Sequence, residues 1–445
     1  MGPRLLHYSD LEGVFDHPER VARLSGLIAD LREADTLVVG TGDNTAPGVL
    51  SMVTDGGAAL PFFEAVRPDA DTFGNHDFDY GPAELRRTVE RSPQRWLSAN
   101  VHTGGERFGA SVGVEQSATV RADGHTVGFT GLTAPETAEM SPAAAGLAFD
   151  DPLAAAEGAL AALDGADYRV VLSHLGTPDA ALAERFDVDA VLGGHLHTRR
   201  AEQVAGTLCT RPGANGHRLL EVDLADGTVT AHDVSEAPVD RDLLERYRAM
   251  QREAGLEEVV AHVEEPVGRD REHRIRGESR AGNFVADAYR WAAGADVALH
   301  NAGGIREGPP LVGDVTVADL VSVVPFDEPV AVVELTGREL LSVLEEAHVA
   351  VDGEERWIAH VSGMSVRFDT AAGEPLSVRA AGRTLAPDRR YRVATNDYLL
   401  HAAHEFPTIT EDHRVDSLAT QYEVLADYAR NRGIDPELEG RVTLV

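Results

Sequence analysis

The stretch Gly74-Asn75-His76-Asp77-Phe78-Asp79-Tyr80-Gly81 sets an amide, an imidazole and two carboxylates in a loop flanked by glycines. An amide carbonyl and a carboxylate are hard oxygen ligands, and an imidazole serves as ligand or as general acid. Glycines let the backbone turn tightly enough to aim such groups at one point. Alone, the stretch could equally be an Asx turn whose side chains cap their own backbone. Four further stretches turn the reading toward a bound cation: Ser9-Asp10-Leu11-Glu12, Gly42-Asp43-Asn44, Ser173-His174-Leu175 and Gly193-Gly194-His195-Leu196-His197. Each ends an apolar run with side chains able to hold metal.

To bring five such stretches together, the chain needs buried strands that deliver loops at one end. Short apolar runs do alternate with helical patterns: Arg4 to Tyr8, a helix from Glu19 to Glu33, then Thr36-Leu37-Val38-Val39-Gly40 opening into Thr41-Gly42-Asp43-Asn44. Residues 127 to 132, 168 to 173 and 189 to 193 repeat the device, which predicts a layered α/β sandwich. Leu219 to Thr230 reads as a hairpin around Asp226-Gly227 that closes this first domain. From Val239 to Val263 the pattern is polar and amphipathic, with charged residues outnumbering apolar ones, and predicts a connecting helix. A new pattern follows: a helix from Gly282 to Ala293, a strand from Asp296 to His300, the Gly-rich Asn301-Ala302-Gly303-Gly304-Ile305-Arg306, then Val315 to Val323 before Pro325-Phe326. The expected organisation is a domain over residues 1–235, a connector over 236–265 and a second domain over 266–445.

Composition narrows the partners. The 445 residues carry 74 Asp and Glu against 40 basic residues, all arginine, for a formal net charge of -34. Such a surface repels polyanions, so binding of polymeric nucleic acid is not expected. The acid is spread along the whole chain, and lysine is absent, as in proteins of a salt-loaded cytoplasm where screening removes the self-repulsion; a halophilic source is expected. The single cysteine, Cys209, allows no intrachain disulfide. No run approaches the ~20 apolar residues of a membrane span. The opening Met1-Gly2-Pro3-Arg4-Leu5-Leu6-His7 is too short and polar for a secretory signal, so a cytoplasmic protein without a membrane partner is expected.

In this order the five stretches resemble the calcineurin-like metallophosphoesterases, whose pattern runs D-x-H, G-D, G-N-H-[DE], an isolated H, and G-H-x-H. The resemblance implies two divalent ions. Asp10, Asp43 and His197 would hold one, and Asp43, Asn75, His174 and His195 the other, with Asp43 shared. Glu12 stands where the family has histidine. A carboxylate in place of an imidazole favours a harder ion, Mn²⁺ before Zn²⁺ or Co²⁺. Alternatively Glu12 stands behind the ligands, with His17 or water filling the gap. His76 is left free of metal to stabilise the transferring phosphoryl group or protonate the leaving oxygen, with Asp79 orienting it, and Asp77 is structural.

The later half resembles the C-terminal domain of the 5'-nucleotidase and UDP-sugar hydrolase family, through Arg274 to Asn283, Asn301 to Arg306, Asp314 to Phe326, Leu335-Thr336-Gly337 with Leu344-Glu345, and Tyr391 to Tyr398. That resemblance implies a four-layer αββα metallophosphoesterase sandwich followed by a smaller α+β domain. It also implies arginines on phosphate and two aromatics around a base. The matching positions are Arg306, one of Arg271, Arg274 and Arg276, then Asn301, Phe326 and Tyr398. Two positions depart: Ala402-Ala403-His404 replaces Gly-Gly-Asp, removing the aspartate that binds ribose hydroxyls unless Glu405 substitutes, and Pro325-Phe326-Asp327-Glu328 replaces Pro-Phe-Gly-Asn. The implied activity is two-metal release of phosphate from nucleoside 5'-monophosphates or related small esters by a monomer or homodimer. The alternatives are a 2',3'-cyclic nucleotide phosphodiesterase with 3'-nucleotidase activity and a nucleotide-binding module whose hydrolytic centre has lapsed.

Overall fold

The computed structural model describes residues 2–140, 142–351 and 354–445, which form two compact units, Met1–Ala254 and Gly255–Val445. In the first unit two six-stranded sheets face each other. One runs, from edge to edge, Val229–Asp233, Arg218–Asp223, Arg4–Tyr8, Thr36–Gly40, Ala70–Thr72 and Arg95–Leu97. The other runs Arg200–Val204, Thr207–Arg211, Ala190–Gly193, Tyr168–His174, His125–Thr133 and Ser117–Ala122. Leu5, Leu37, Val39 and Leu220 of the first meet Phe129, Val170, Leu172 and Leu192 of the second in one buried cluster. Helices cover the outer faces. Pro152–Ala161 and Asp179–Arg185 pack Ala156, Leu160 and Leu182 on Leu132, Val171 and Val191. Strands buried on both faces read as continuous apolar runs, which is why Leu37-Val38-Val39 and Val170-Val171-Leu172 lack alternation. The result is the four-layer αββα sandwich.

The central strands of each sheet are parallel: Arg4–Tyr8 pairs with Thr36–Gly40, and Tyr168–His174 with both His125–Thr133 and Ala190–Gly193. Their C-terminal ends therefore lie on one side, where loops gather functional groups.

The segment expected as a connector is divided between the two units. Its helix, Arg241–Glu253, belongs to the first: Leu243 and Tyr247, four residues apart on one face, are buried, and Tyr247 stacks on Phe15 at 5.7 Å. Tyr247 Oη donates to the Ala58 carbonyl at 2.8 Å, Ser25 Oγ to Asp240 Oδ2 at 2.8 Å, and Gln251 Nε2 to the Asp16 carbonyl at 3.0 Å. Two large apolar side chains thus outweigh the surrounding charge and dock the helix. The next strand, Val259–Val267, pairs with Leu311–Thr316 in the second unit, so the division falls after Ala254 rather than at residues 235 and 265.

The second unit is α+β. Its main sheet is mixed, in the order Ala359–Ser362, Val297–Asn301, Arg390–Asn396, Pro329–Thr336 and Arg414–Thr420. The helix Arg280–Ala293 starts on a Ser279 cap and buries Phe284, Val285 and Tyr289. A core of Leu299, Val333, Leu344, Trp357 and Phe368 joins this sheet to a smaller one containing Met364–Asp369 and Glu374–Ala380. No helix among the described residues is long and apolar enough to cross a membrane.

Candidate metal centre

Asp10 and Glu12 follow the strand Arg4–Tyr8, Asp43 follows Thr36–Gly40, and Asn75 follows Ala70–Thr72. His174 ends its own strand, while His195 and His197 follow Ala190–Gly193. The loops are held in unusual backbone conformations. Asp10, Glu12, Asp43 and His195 all have positive φ, at 49°, 46°, 53° and 70°. Left-handed backbone costs a non-glycine residue on the order of 1–3 kcal/mol, so four such residues at one place point to a constraint other than stability. Between them the motif glycines make room: a Cβ on Gly42 would come within 2.5 Å of the Gly74 nitrogen and 2.7 Å of His174 Nδ1.

Two groups of ligand-competent atoms result. Asp43, His174 and His195 form one, and Asp10, Glu12 and His197 the other, with the atoms of each group within 4.8 Å of one another. In the first, His174 Nδ1 lies 2.6 Å from the Thr41 carbonyl, which assigns the proton there and turns Nε2 toward Asp43. Nε2 is 3.0 Å from Asp43 Oδ2 and fully buried. An imidazole nitrogen and a carboxylate facing each other in a dry place need a positive charge between them, a proton or a metal ion. His195 Nδ1 is 2.9 Å from Asn75 Oδ1, so Asn75 joins this group through His195. In the second group His197 Nε2 is 2.8 Å from Glu12 Oε1 and 3.9 Å from Asp10 Oδ1. Glu12 thus lies with the ligand-competent atoms. The groups adjoin: the Asp10 amide donates to the Gly42 carbonyl, the Glu12 amide to the Asp43 carbonyl, and the His195 amide to Asp10 Oδ1 at 2.9 Å. Imidazole and carboxylate donors in two adjoining sets fit a pair of divalent transition ions.

The electrostatics follow from crowding acids around imidazoles. Burial alone would lower His174, but the Asp43 charge and then Asp10 outweigh it and raise it to about 10. Burial pushes the Asp10 carboxyl up to about 6, against the opposing pull of His174.

His76 stands outside both groups. Its Nδ1 is 2.8 Å from Asp79 Oδ2 and its amide donates to Asp43 Oδ1 at 2.7 Å. Burial would lower this imidazole, yet the bond to Asp79 and the Asp43 charge raise it to about 9, which keeps a proton on a ring that is 39% exposed. Asp77 accepts from the amides of Asp43, Asn44, Thr45 and Gly74 and from Thr45 Oγ1, so it ties the Gly42 and Gly74 loops together.

Asn215 was not legible as part of this place. Its amide donates to the Asp10 carbonyl at 2.7 Å and its Nδ2 reaches Glu12 Oε2 at 3.4 Å, from a left-handed φ of 60°. The only local signal was the Asn215-Gly216 pair, which reads as a turn.

In the second unit, Arg306 lies over the Phe326 ring with its guanidinium carbon 4.9 Å from the centroid. Glu405 joins two other expected residues, accepting from Asn301 Nδ2 at 2.9 Å and Tyr398 Oη at 3.1 Å. Phe326 and Tyr398 are both part-exposed rather than core aromatics. Arg274 is committed to the Ala302 and Ile305 carbonyls and to Glu307, so it shapes the Asn301–Arg306 loop. Arg271 is turned elsewhere, its guanidinium 2.9 Å from Glu354.

A layered αββα unit with paired ligand sets, joined to a separate α+β unit carrying arginines and part-exposed aromatics, fits a metallophosphoesterase with an attached second domain. Family comparison agrees: residues 3–199 match the calcineurin-like phosphoesterase model and residues 259–411 the 5'-nucleotidase C-terminal domain. The chain thus joins a calcineurin-like phosphoesterase domain to a 5'-nucleotidase C-terminal domain. It is similar to the 5'-nucleotidase precursor of Thermus thermophilus, at 27% identity and a TM-score of 0.72, covering 100% of this chain and 99% of that one. The 5'-nucleotidase of Vibrio parahaemolyticus is 25% identical over 95% of this chain and 88% of its own length. The trifunctional nucleotide phosphoesterase protein YfkN of Bacillus subtilis is 27% identical over 98% of this chain. The chain spans about a third of the length of YfkN and of endonuclease YhcR from the same organism, 34% and 37%.

Proposed function

We propose that this protein is a metal-dependent phosphohydrolase that releases phosphate from nucleoside 5'-monophosphates or related small phosphate esters. The observation that carries the reading is the pairing of two adjoining ligand sets, Asp43 with His174 and His195, and Asp10 with Glu12 and His197, beside an imidazole that neither set uses. Divalent ions held there supply Lewis-acid charge that ionises water and neutralises phosphoryl oxygens. His76, kept protonated by Asp79, donates to the phosphoryl or leaving oxygen. Arg306 offers a planar fork to phosphate, and Phe326 and Tyr398 offer ring faces to a base. The ion set is assigned as Mn²⁺ before Zn²⁺ or Co²⁺, because Glu12 supplies a carboxylate beside Asp10.

The printed name of YfkN, a trifunctional nucleotide phosphoesterase, supports including cyclic substrates in the test. Nucleoside 5'-monophosphates, 2',3'-cyclic nucleotides and sugar phosphates assayed with Mn²⁺, Co²⁺, Zn²⁺ and Mg²⁺ in high salt should show 5'-monophosphates turned over fastest with Mn²⁺. Faster turnover of cyclic nucleotides would move the assignment to the phosphodiesterase, and inertness with every ion would leave only nucleotide binding.

A further inference from the structure

Away from the ligand atoms, the first unit carries a cavity of about 380 Å³ lined by His17, Arg20, His217, the pair Glu19 and Arg23, and Asp233. Its acids are already committed. Glu19 Oε1 takes Arg23 Nη2 at 2.7 Å, and Asp233 Oδ1 accepts from the Ser235 amide at 2.9 Å and from Ser235 Oγ at 2.6 Å. Its cations are not. Among the described residues Arg20 has no carboxylate partner, and its guanidinium meets only the Asn215 carbonyl, at 3.4 Å. Among the described residues neither His17 nor His217, both on the exposed rim, makes a side-chain hydrogen bond, and partial desolvation together with Arg20 lowers both imidazoles from their ordinary value. Three groups able to carry positive charge thus converge and repel one another, on a chain whose net charge is -34. Asp233 opposes that repulsion at His217 but does not reverse the lowering. An acceptor-only ligand with two charges would relieve the repulsion, because it takes hydrogen bonds from a guanidinium and two imidazoles together and draws the protons onto the rings.

We propose that this cavity is a phosphate-binding site separate from the metal centre, taking inorganic phosphate or the phosphate group of a monoester. Arg20 is its anchor and His17 and His217 complete it. The cavity adjoins the second ligand set through one residue, since the Asn215 carbonyl meets Arg20 while the Asn215 amide holds Asp10.

The test is a phosphate titration of the zinc-loaded full-length protein, read from the imidazole NMR signals of His17 and His217, with chloride at matched ionic strength as the control. Both signals are expected to move toward the protonated position with phosphate and to stay with chloride. In Arg20→Gln the same movement should need roughly tenfold more phosphate, the scale for losing one charge-assisted hydrogen bond. Arg20→Lys, which keeps the charge, should lose less, and this guards against a merely unfolded variant. The signals of His174 and His195 report phosphate at the metals separately. Methylphosphonate in a parallel arm distinguishes a monoester from free phosphate, by whichever moves His217 at the lower concentration. If His17 and His217 ignore both anions, or respond to chloride equally, the site does not exist.

Discussion

His174 in the first unit and His300 with His360 in the second are buried to the same degree, at 0%, 0% and 1% exposure, yet they are driven in opposite directions. His174 faces Asp43 and Asp10, which overcome its burial and raise it to about 10. His300 and His360 sit opposite each other on paired antiparallel strands. Burial, then the neighbouring imidazole, lowers His300 to about 3. For His360 it is burial and then Arg274 that lower it to about 4, with Glu278 too weak to reverse them. Burial by itself makes a histidine neutral and inert; a buried carboxylate beside it makes a place for a cation. The contrast shows what a facing carboxylate does to a buried imidazole, but it does not by itself mark a ligand: His195, beside Asp43 and His174, is lowered by burial, and His76, outside both sets, is raised to about 9.

The comparison breaks most visibly if the carboxylate is removed from the first unit. Asp43→Asn keeps the volume but removes the charge facing His174, and should lower turnover by ~10³-fold or more, beyond the loss of a single oriented donor. Elemental analysis of the purified variant should find at least one equivalent of metal missing. Retention of full metal content with near-normal turnover would withdraw Asp43 from the ligand set. His76 tests the other half of the argument, that an imidazole beside a carboxylate need not be a ligand. His76→Ala should cut kcat by ~10²-fold or more, the scale for a positioned acid, with both ions retained. Metal loss in that variant would move His76 into the ligand set.

A smaller effect is expected at the aromatics of the second unit, which the proposed function gives the task of holding substrate rather than transforming it. Phe326→Ala should raise KM for AMP roughly tenfold, for the loss of ~1–3 kcal/mol of stacking. Turnover of an aryl phosphate should be nearly unchanged, since no base has to be held. An equal loss on both substrates would mean that Phe326 supports the fold of the Arg306 loop instead.

The candidate metal centre was legible because its residues sit at the ends of parallel strands. An apolar run followed within three residues by Asp10, Asp43, Asn75 or His195 marks the strand and the ligand together. What joins the loops was not legible. Asp77 and Asn215 act on backbone groups distant in sequence, and hydrogen bonds of that kind leave no local pattern. The helix Arg241–Glu253 reads from sequence as a connecting helix because its anchoring partners, Phe15 and Ala58, lie some two hundred residues earlier. In the second unit the motif picks out Asn301, Arg306, Phe326 and Tyr398 as candidates. It could not tell that Arg271 would be drawn to Glu354, since several exposed arginines and acids compete there at nearly equal cost. Glu405, the residue weighed as a substitute for the missing aspartate, does stand between Asn301 and Tyr398.

The smallest effect lies in the packing histidines, and at neutral pH there should be none on activity. Both are neutral in the folded chain and take a proton readily once unfolded, where an imidazole has its ordinary value of about 6.5. With folded values of about 3 and about 4, the unfolded state binds more protons at every pH between those values and 6.5. Stability is therefore complete above pH 6.5 and declines as the pH falls through that window, the opposite of a histidine raised by a carboxylate. At pH 5 the loss is ~2 kcal/mol for each imidazole. Amide hydrogen exchange at pH 7 and pH 5 should show protection falling in the strands Val297–Asn301 and Ala359–Ser362. His300→Phe, which removes the ionisable group but keeps a ring beside Tyr289, should flatten that pH dependence by about half. If the two strands keep full protection at pH 5, the imidazoles have found a partner for the proton, and the contrast with His174 would rest on the metal ions rather than on the surrounding acids.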